Sequence, residues 1–287
     1  MKRRRIISAL LVFSMLLAAV SCSQEGGNSD RNNGEPDREI ERETEALDLE
    51  SNEDYFTFEE GKSGLKLAGL SEKGKKQETL VIPSGVIINC TLKAGKVKNV
   101  YFESDDDIDL KLLLSCSDTI ETIRLPANLT KLTAIDSCPN LKEITIPEGV
   151  TEIPNMCFFS DKSLETVIFT GDVTIIDDHA FKSCESLNDI NIPDSVTEIG
   201  REAFVGCMSL NTVTLPKGLK VVGDNAFKNK EDGIETFVVP EEMELEKWDK
   251  DAFSQGESEY TVKVVKGSWA DEHFEEVFYG NAVKEYA

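Results

Sequence analysis

Histidine is nearly absent: His179 and His273 are the only two in 287 residues. A general base needs a positioned partner, and neither histidine lies in a recognisable constellation, which argues against an enzyme. No two cysteines stand at CxxC spacing, so a zinc site lacks its usual ligand pattern. No glycine-rich phosphate loop is present either. Positive charge is scarce. With 31 Lys plus Arg against 54 Asp plus Glu the formal charge is −23, and a chain this acidic repels the phosphate backbone whose neutralisation drives nucleic-acid binding. No apolar run reaches the roughly 20 residues that a membrane-spanning helix needs. What the chain does contain suffices for a folded body. Its residues are 40 % hydrophobic and 30 % charged, and its length permits a sizeable core in one large or two ordinary domains.

The first residues carry an address. Lys2 to Arg5 form a basic block, Ile6 to Val20 an apolar run, and Ala19-Val20-Ser21-Cys22 follow. A run of this length fits the core of a signal peptide over residues 1–21. The small residue before Cys22 resembles the lipobox of bacterial lipoproteins, which implies lipidation of Cys22 and a membrane tether through the lipid alone. Ordinary cleavage after Ser21 is the alternative, since Ala19 and Ser21 satisfy that peptidase too. Residues 22–54 then hold 12 acids and three arginines with almost nothing apolar. Such a composition cannot repay the entropy of ordering, and it reads as a disordered acidic tether.

From Tyr55 onward the chain repeats. Ile144-Thr145-Ile146-Pro147, Ile190-Asn191-Ile192-Pro193, Val213-Thr214-Leu215-Pro216 and Phe237-Val238-Val239-Pro240 recur with proline spacings of 46, 23 and 24. Val167-Ile168-Phe169-Thr170 stands midway through the long gap, with threonine for proline. Upstream, Leu80-Val81-Ile82-Pro83, Val100-Tyr101-Phe102-Glu103 and Ile123-Arg124-Leu125-Pro126 keep the rhythm, so eight units are visible. Leu141, Leu164, Leu187 and Leu210 recur at 23, and so do Ala180-Phe181, Ala203-Phe204 and Ala226-Phe227. Each unit offers an alternating strand closed by proline, a second short strand such as Val196 to Ile199, and a turn carrying Ala-Phe. One unit cannot bury its apolar face alone, but stacked units share a continuous core. The expected fold is mainly β, a solenoid of about eight units of ~23 residues with parallel sheets. The usual crossover rule makes it right-handed.

These units resemble the BspA-like (Treponema-type) leucine-rich repeat family, whose units share the Ile-Pro, the Val-Thr-x-Ile-Gly, the Ala-Phe and the Cys-x-x-Leu seen between Ser186 and Leu210. The resemblance covers residues 55–287. It implies an N-terminal cap at 55–77, repeats over 78–260 and a C-terminal cap at 261–287, where Val262 to Ser268 form a closing strand and Trp269 to Phe278 a helix. Two units depart from the pattern. Leu112-Leu113-Leu114 replaces Ala-Phe in one, and Asp161 stands where the cysteine belongs in another.

Six cysteines remain beyond Cys22: Cys90, Cys116, Cys138, Cys157, Cys184 and Cys207. Cys138, Cys184 and Cys207 share one repeat position, where a small apolar thiol fills a coil turn, so buried free thiols are expected. A Cys184–Cys207 disulfide is the alternative, because stacked coils bring the two within bonding range. His179 fills the slot that Glu202 and Asn225 take in other units and reads as a solvated turn histidine beside the charged turn Asp177-Asp178. Asp105, Asp107 and Asp109 have calcium-loop spacing, but Leu110 and Cys116 replace the required glycine and glutamate. No metal or cofactor is expected.

What remains is surface. Alternation sends Arg124, Thr145, Ile168, Asn191, Thr214 and Val238 outward in one column. A second column runs through Thr122, Glu143, Thr166, Asp189, Thr212 and Thr236, and a third, on the other strand, through Thr130, Thr151, Thr174, Thr197 and Lys220. Short polar side chains make a flat ribbon suited to an extended ligand, although threonine also serves β-ladders without any ligand. The family resemblance implies a non-enzymatic, exported surface protein that binds host or neighbouring-cell proteins. The alternatives are a glycan-binding or enzyme-accessory envelope protein, with Tyr101 and Trp269 as stacking candidates, and a purely structural envelope role.

Overall fold

The computed structural model describes residues 52–61, 64–85, 87–88, 95–105, 118–229, 233–278 and 280–287. The signal segment, Cys22, nearly all of the acidic tether, Cys90, Cys116, Asp107, Asp109 and Leu112 to Leu114 lie outside them. The described chain opens on a 3-10 turn, Glu53–Tyr55, whose Asp54 N–H is capped by the Asn52 side chain at 3.1 Å. The antiparallel hairpin of β1 (Phe56–Gly61) and β2 (Gly64–Leu70) follows. Then come β3 (Thr79–Ile82), β4 (Ile87–Ile88), β5 (Asn99–Phe102) and β6 (Thr122–Ile123).

From there each coil supplies a first strand and a shorter second one. These are β7 (Glu143–Ile146) with β8 (Glu152–Ile153), β9 (Thr166–Phe169) with β10 (Ile175–Ile176), and β11 (Asp189–Ile190) with β12 (Glu198–Ile199). β13 (Thr212–Thr214) with β14 (Val221–Val222) and β15 (Thr236–Val238) with β16 (Lys247–Trp248) continue the series. The chain closes with β17 (Tyr260–Val264), the one-turn helices α1 (Trp269–Glu272) and α2 (Phe274–Val277), and β18 (Ala282–Tyr286).

Like pairs with like. Second strands form one parallel ladder, β8-β10-β12-β14-β16, while first strands form three parallel sheets, β3-β5-β6, β7-β9-β11 and β13-β15-β17-β18. The register is that of the repeat: Ile144 faces Val167, Val167 faces Ile190, and Val213 faces Phe237. The mainly β solenoid expected from the periodicity is the observed architecture, with second strands of only two residues where four were expected. The proline explains part of this shortening. Pro147, Pro193 and Pro216 each head a turn in which their carbonyl accepts the N–H three residues on, at 3.0 to 3.2 Å, so Val196 and its equivalents are spent on the turn.

The core is a set of columns. Leu141, Leu164, Leu187, Leu210 and Ile234 are all at most 1 % exposed. Phe158, Phe181, Phe204, Phe227 and Phe253 stack in one file with ring centroids 5.1 to 5.7 Å apart and planes within 12° of parallel. Burying each such side chain contributes about 1.5 to 3 kcal/mol, and no coil could collect that gain without its neighbours. Between coils the Phe N–H donates to the next Ala carbonyl, as from Phe181 to Ala203 at 2.9 Å. The unit bearing Asp161 keeps this register throughout.

Candidate functional site

The ribbon is built by the first strands. In β7 the inward residues Ile144 and Ile146 are buried while Thr145 is exposed, and β13 repeats the pattern with Val213 inside and Thr214 outside. Of the first column, Arg124, Thr145, Asn191 and Thr214 are exposed, and Ile168 and Val238 are half-buried. Thr145 lies beside Ile168 and Thr214 beside Val238 across the ladders, so the structure aligns these pairs as the spacing required. The side chain of Asp189 in the second column is not among those described.

The ribbon extends further than the repeat pattern indicated. Thr236 pairs with Thr261 and Val238 with Lys263, and these in turn pair with Val283 and Glu285. At the other end Val81, Tyr101 and the position of Arg124 fall in line through β3, β5 and β6. The strand heading Val262 was legible as a closing strand, but its outward residues were not recognised as the continuation of the same face.

One depression interrupts the ribbon. Its volume is about 170 Å³ and Thr166, Val167, Ile168, Phe169 and Asn191 line it. It opens because β11 ends at Ile190: Asn191 no longer pairs with Ile168, and Phe169 is half-buried where Ile146 and Ile192 are buried. The depression therefore offers an aliphatic and an aromatic surface beside an exposed amide.

The third column has a different role. Thr174 donates its hydroxyl to the Thr151 carbonyl at 3.1 Å, and Thr197 to the Thr174 carbonyl at 3.2 Å. These threonines tie one coil to the preceding one. Ser195 and Thr170 do likewise, donating to the carbonyls of Val173 at 2.7 Å and Ile146 at 2.8 Å.

His179 corrects its sequence reading: it is buried, 8 % exposed, and not a solvated turn residue. The backbone at this position is left-handed, φ 57°. Its Nε2 lies 3.5 Å from a Glu202 oxygen, which Lys182 also engages. That Lys182 hydrogen bond, more than the nearby charges, holds the Glu202 carboxyl below its usual range. A carboxylate so occupied is a poor proton acceptor, and His179 Nδ1 has no partner to orient it. Asp177 and Asp178 are turn caps: Asp177 accepts the Asp178 N–H at 2.7 Å and Asp178 accepts the Arg201 N–H at 2.6 Å. Asp105 similarly accepts the Ala127 N–H at 3.2 Å. Among the described residues no cluster of three His, Cys, Asp or Glu side chains is placed to hold a metal ion.

Trp269 also departs from expectation. It is packed in the cap, edge-on to Trp248 at 5.8 Å and stacked on His273 at 4.5 Å, and so is not a platform on the ribbon. Tyr101 does lie on the ribbon, half-buried.

Cys138, Cys157, Cys184 and Cys207 are free and fully buried. Cys184 and Cys207 each point a thiol at a carbonyl of the preceding coil, Phe158 at 3.1 Å and Phe181 at 3.2 Å. Burial pushes the Cys207 thiol up to about 12. Asp161 occupies the same column, accepting the Cys138 N–H at 2.6 Å through one oxygen while the other has no partner. Burial drives its pKa well above the carboxylate range, and neighbouring Asp136 adds to the rise.

Residues 133–260, which hold the columns of Leu, Ala-Phe and Cys and the in-register strands, match in six copies a family model described as BspA type leucine rich repeat region. Residues 133–260 are thus similar to BspA-type leucine-rich repeats. The BspA-type segment thus spans the coils that carry most of the ribbon. Among solved structures, a leucine rich repeat protein of Treponema pallidum is similar at 20 % identity, covering 83 % of this chain and 99 % of its own with a TM-score of 0.44. A leucine-rich repeat protein from Bacteroides ovatus is similar at 19 % identity over 75 % of this chain and 65 % of its own, TM-score 0.39. A leucine rich cell surface protein from Faecalibacterium prausnitzii is similar at 16 % identity over 81 % and 93 %, TM-score 0.34. No curated protein matches the chain.

Proposed function

We propose that this protein is a non-enzymatic, lipid-anchored protein of the bacterial cell surface whose strand ribbon binds protein ligands. The observation that carries the reading is the ribbon itself: exposed short side chains in register from coil to coil, with an apolar depression at Ile168 and Phe169. Solenoids characteristically use such repeated surfaces to hold extended partners. A binding panel of matrix proteins beside a glycan array tests it, using residues 55–287. Retention of a protein ligand supports the reading, and binding to neither panel defeats it.

Polysaccharide is the second reading, favoured by Tyr101 on the ribbon, where an aromatic face could stack on a sugar ring. The anchor is tested independently through Cys22→Ala. The expected result is loss of membrane retention and a change in electrophoretic mobility, and an unchanged variant rejects lipidation.

A further inference from the structure

The last strand leaves an edge open. β18 pairs in full parallel register with β17 and is terminal in its four-stranded sheet. Asn281 accepts the Tyr260 N–H at 3.2 Å, and Ala287 donates to Val264 at 3.0 Å, so residues 281 and 287 direct their main-chain groups to β17. In a parallel ladder alternate residues turn N–H and C=O to opposite neighbours. Ala282, Lys284 and Tyr286 therefore direct three donors and three acceptors away from the sheet.

Natural edges are usually blunted by a bulge, a proline or an outward lysine. β18 has neither bulge nor proline, and its lysine is withdrawn. Lys284 reaches back to the cap, donating to the Asp271 carboxylate at 2.9 Å and lying 4.6 Å from the Phe274 ring centre, and the Tyr286 hydroxyl meets the same carboxylate at 3.2 Å. The side chains that could shield the edge are thus anchored elsewhere.

Charge selects the occupant. At the start of the strand lies a depression of about 340 Å³ lined by Glu257, Glu259, Gly280, Asn281, Ala282 and Val283. Both glutamates are exposed, and neither belongs to an ion pair among the described residues. A second copy of this chain would bring the same acidic end, which carries −8 from Glu241 onward, against itself. We propose that the β18 edge accepts an extended peptide segment as a fifth strand, with a lysine or arginine of that segment seated between Glu257 and Glu259.

The test is fluorescence anisotropy of the intact protein with labelled peptides of alternating valine and threonine that carry lysine or glutamate at one end. The lysine peptide should bind about fivefold tighter than the glutamate peptide at low salt, as expected for an exposed charge preference, and Glu257→Gln with Glu259→Gln should erase the difference. Ala282→Pro, which removes an outward N–H, should weaken binding of both peptides alike. A lysine peptide N-methylated at alternate residues should not bind, a control that needs no protein variant. Ile168→Asp on the ribbon should leave this binding intact, which separates the edge from the ribbon reading. Equal binding of the lysine and glutamate peptides, binding of the N-methylated peptide, or a dimer in sedimentation that Ala282→Pro dissociates would overturn the proposal.

Discussion

Asp161 shows how much one residue can disclose about a repeat. It occupies a position that cysteine fills in neighbouring coils and must put a carboxyl where a thiol fits, with one oxygen satisfied and one not. Its folded pKa is raised, so the neutral form is the one the fold prefers. The stability it contributes is complete below the unfolded-state value of about 4 and is lost as pH rises toward the folded value. Asp136, raised mainly by its own partial burial, acts in the same direction. Asp161→Cys should therefore stabilise the protein at neutral pH and flatten the fall in stability above about pH 4, as read from denaturant midpoints across pH. Equal pH slopes in the two proteins would refute the assignment. The thiols of the same column carry a companion prediction. Alkylation of the native protein without reduction should leave Cys184 and Cys207 unmodified, and both should react once it is denatured. A Cys184–Cys207 cross-link in the mass spectrum would contradict the free-thiol assignment.

Elements of this protein are coils rather than independent strands and helices. Phe204 lies between Phe181 and Phe227, with rings at 5.3 and 5.1 Å, so Phe204→Ala opens a cavity that two neighbouring coils share. A loss of about 3 to 5 kcal/mol is expected in chemical denaturation, and a loss under 1 kcal/mol would mean that the file is not a structural unit. Gly200 tests the stacking distance. A β-carbon there would lie 2.5 Å from the Asp178 backbone nitrogen, so Gly200→Ala should cost about 1 to 3 kcal/mol although it adds only one methyl group.

The coils were legible because periodicity in the sequence reports which residues must face the same core: Leu, Ala-Phe and Cys columns spaced by 23 could be aligned without coordinates. The closing strand β18 was not legible. Its Ala-Val-Lys-Glu-Tyr alternation is weak, and it is held by pairing with β17 and by Lys284 and Tyr286 on Asp271 rather than by a repeated apolar position. Nor could the ribbon depression be read in advance, because it depends on β11 ending one residue before Asn191. His179 was misread for a related reason: its side chain is covered by a partner one coil away, Glu202, which the repeat spacing alone does not reveal.

Charge is distributed on the scale of the whole molecule. Lysines pair with acids one coil on, as in Lys142–Glu165 at 3.7 Å, Lys162–Glu185 at 2.8 Å and Lys220–Glu246 at 3.8 Å, with side chains 40 to 71 % exposed. Pairs this exposed add little stability. The acidity is concentrated instead in residues 22–54, at −9, and in the C-terminal stretch, at −8. A ligand on the ribbon thus meets hydroxyls, an amide and the Ile168–Phe169 depression, whereas the acidic end presents the β18 edge. The most direct test of the central claim is a matrix-protein binding panel read in parallel with the intact protein and with the ribbon double variant Ile168→Asp, Thr214→Asp. The intact protein should retain at least one protein ligand, and the double variant should lose it at an unchanged melting temperature. No retained ligand, or a variant that binds as well as the parent, would contradict it.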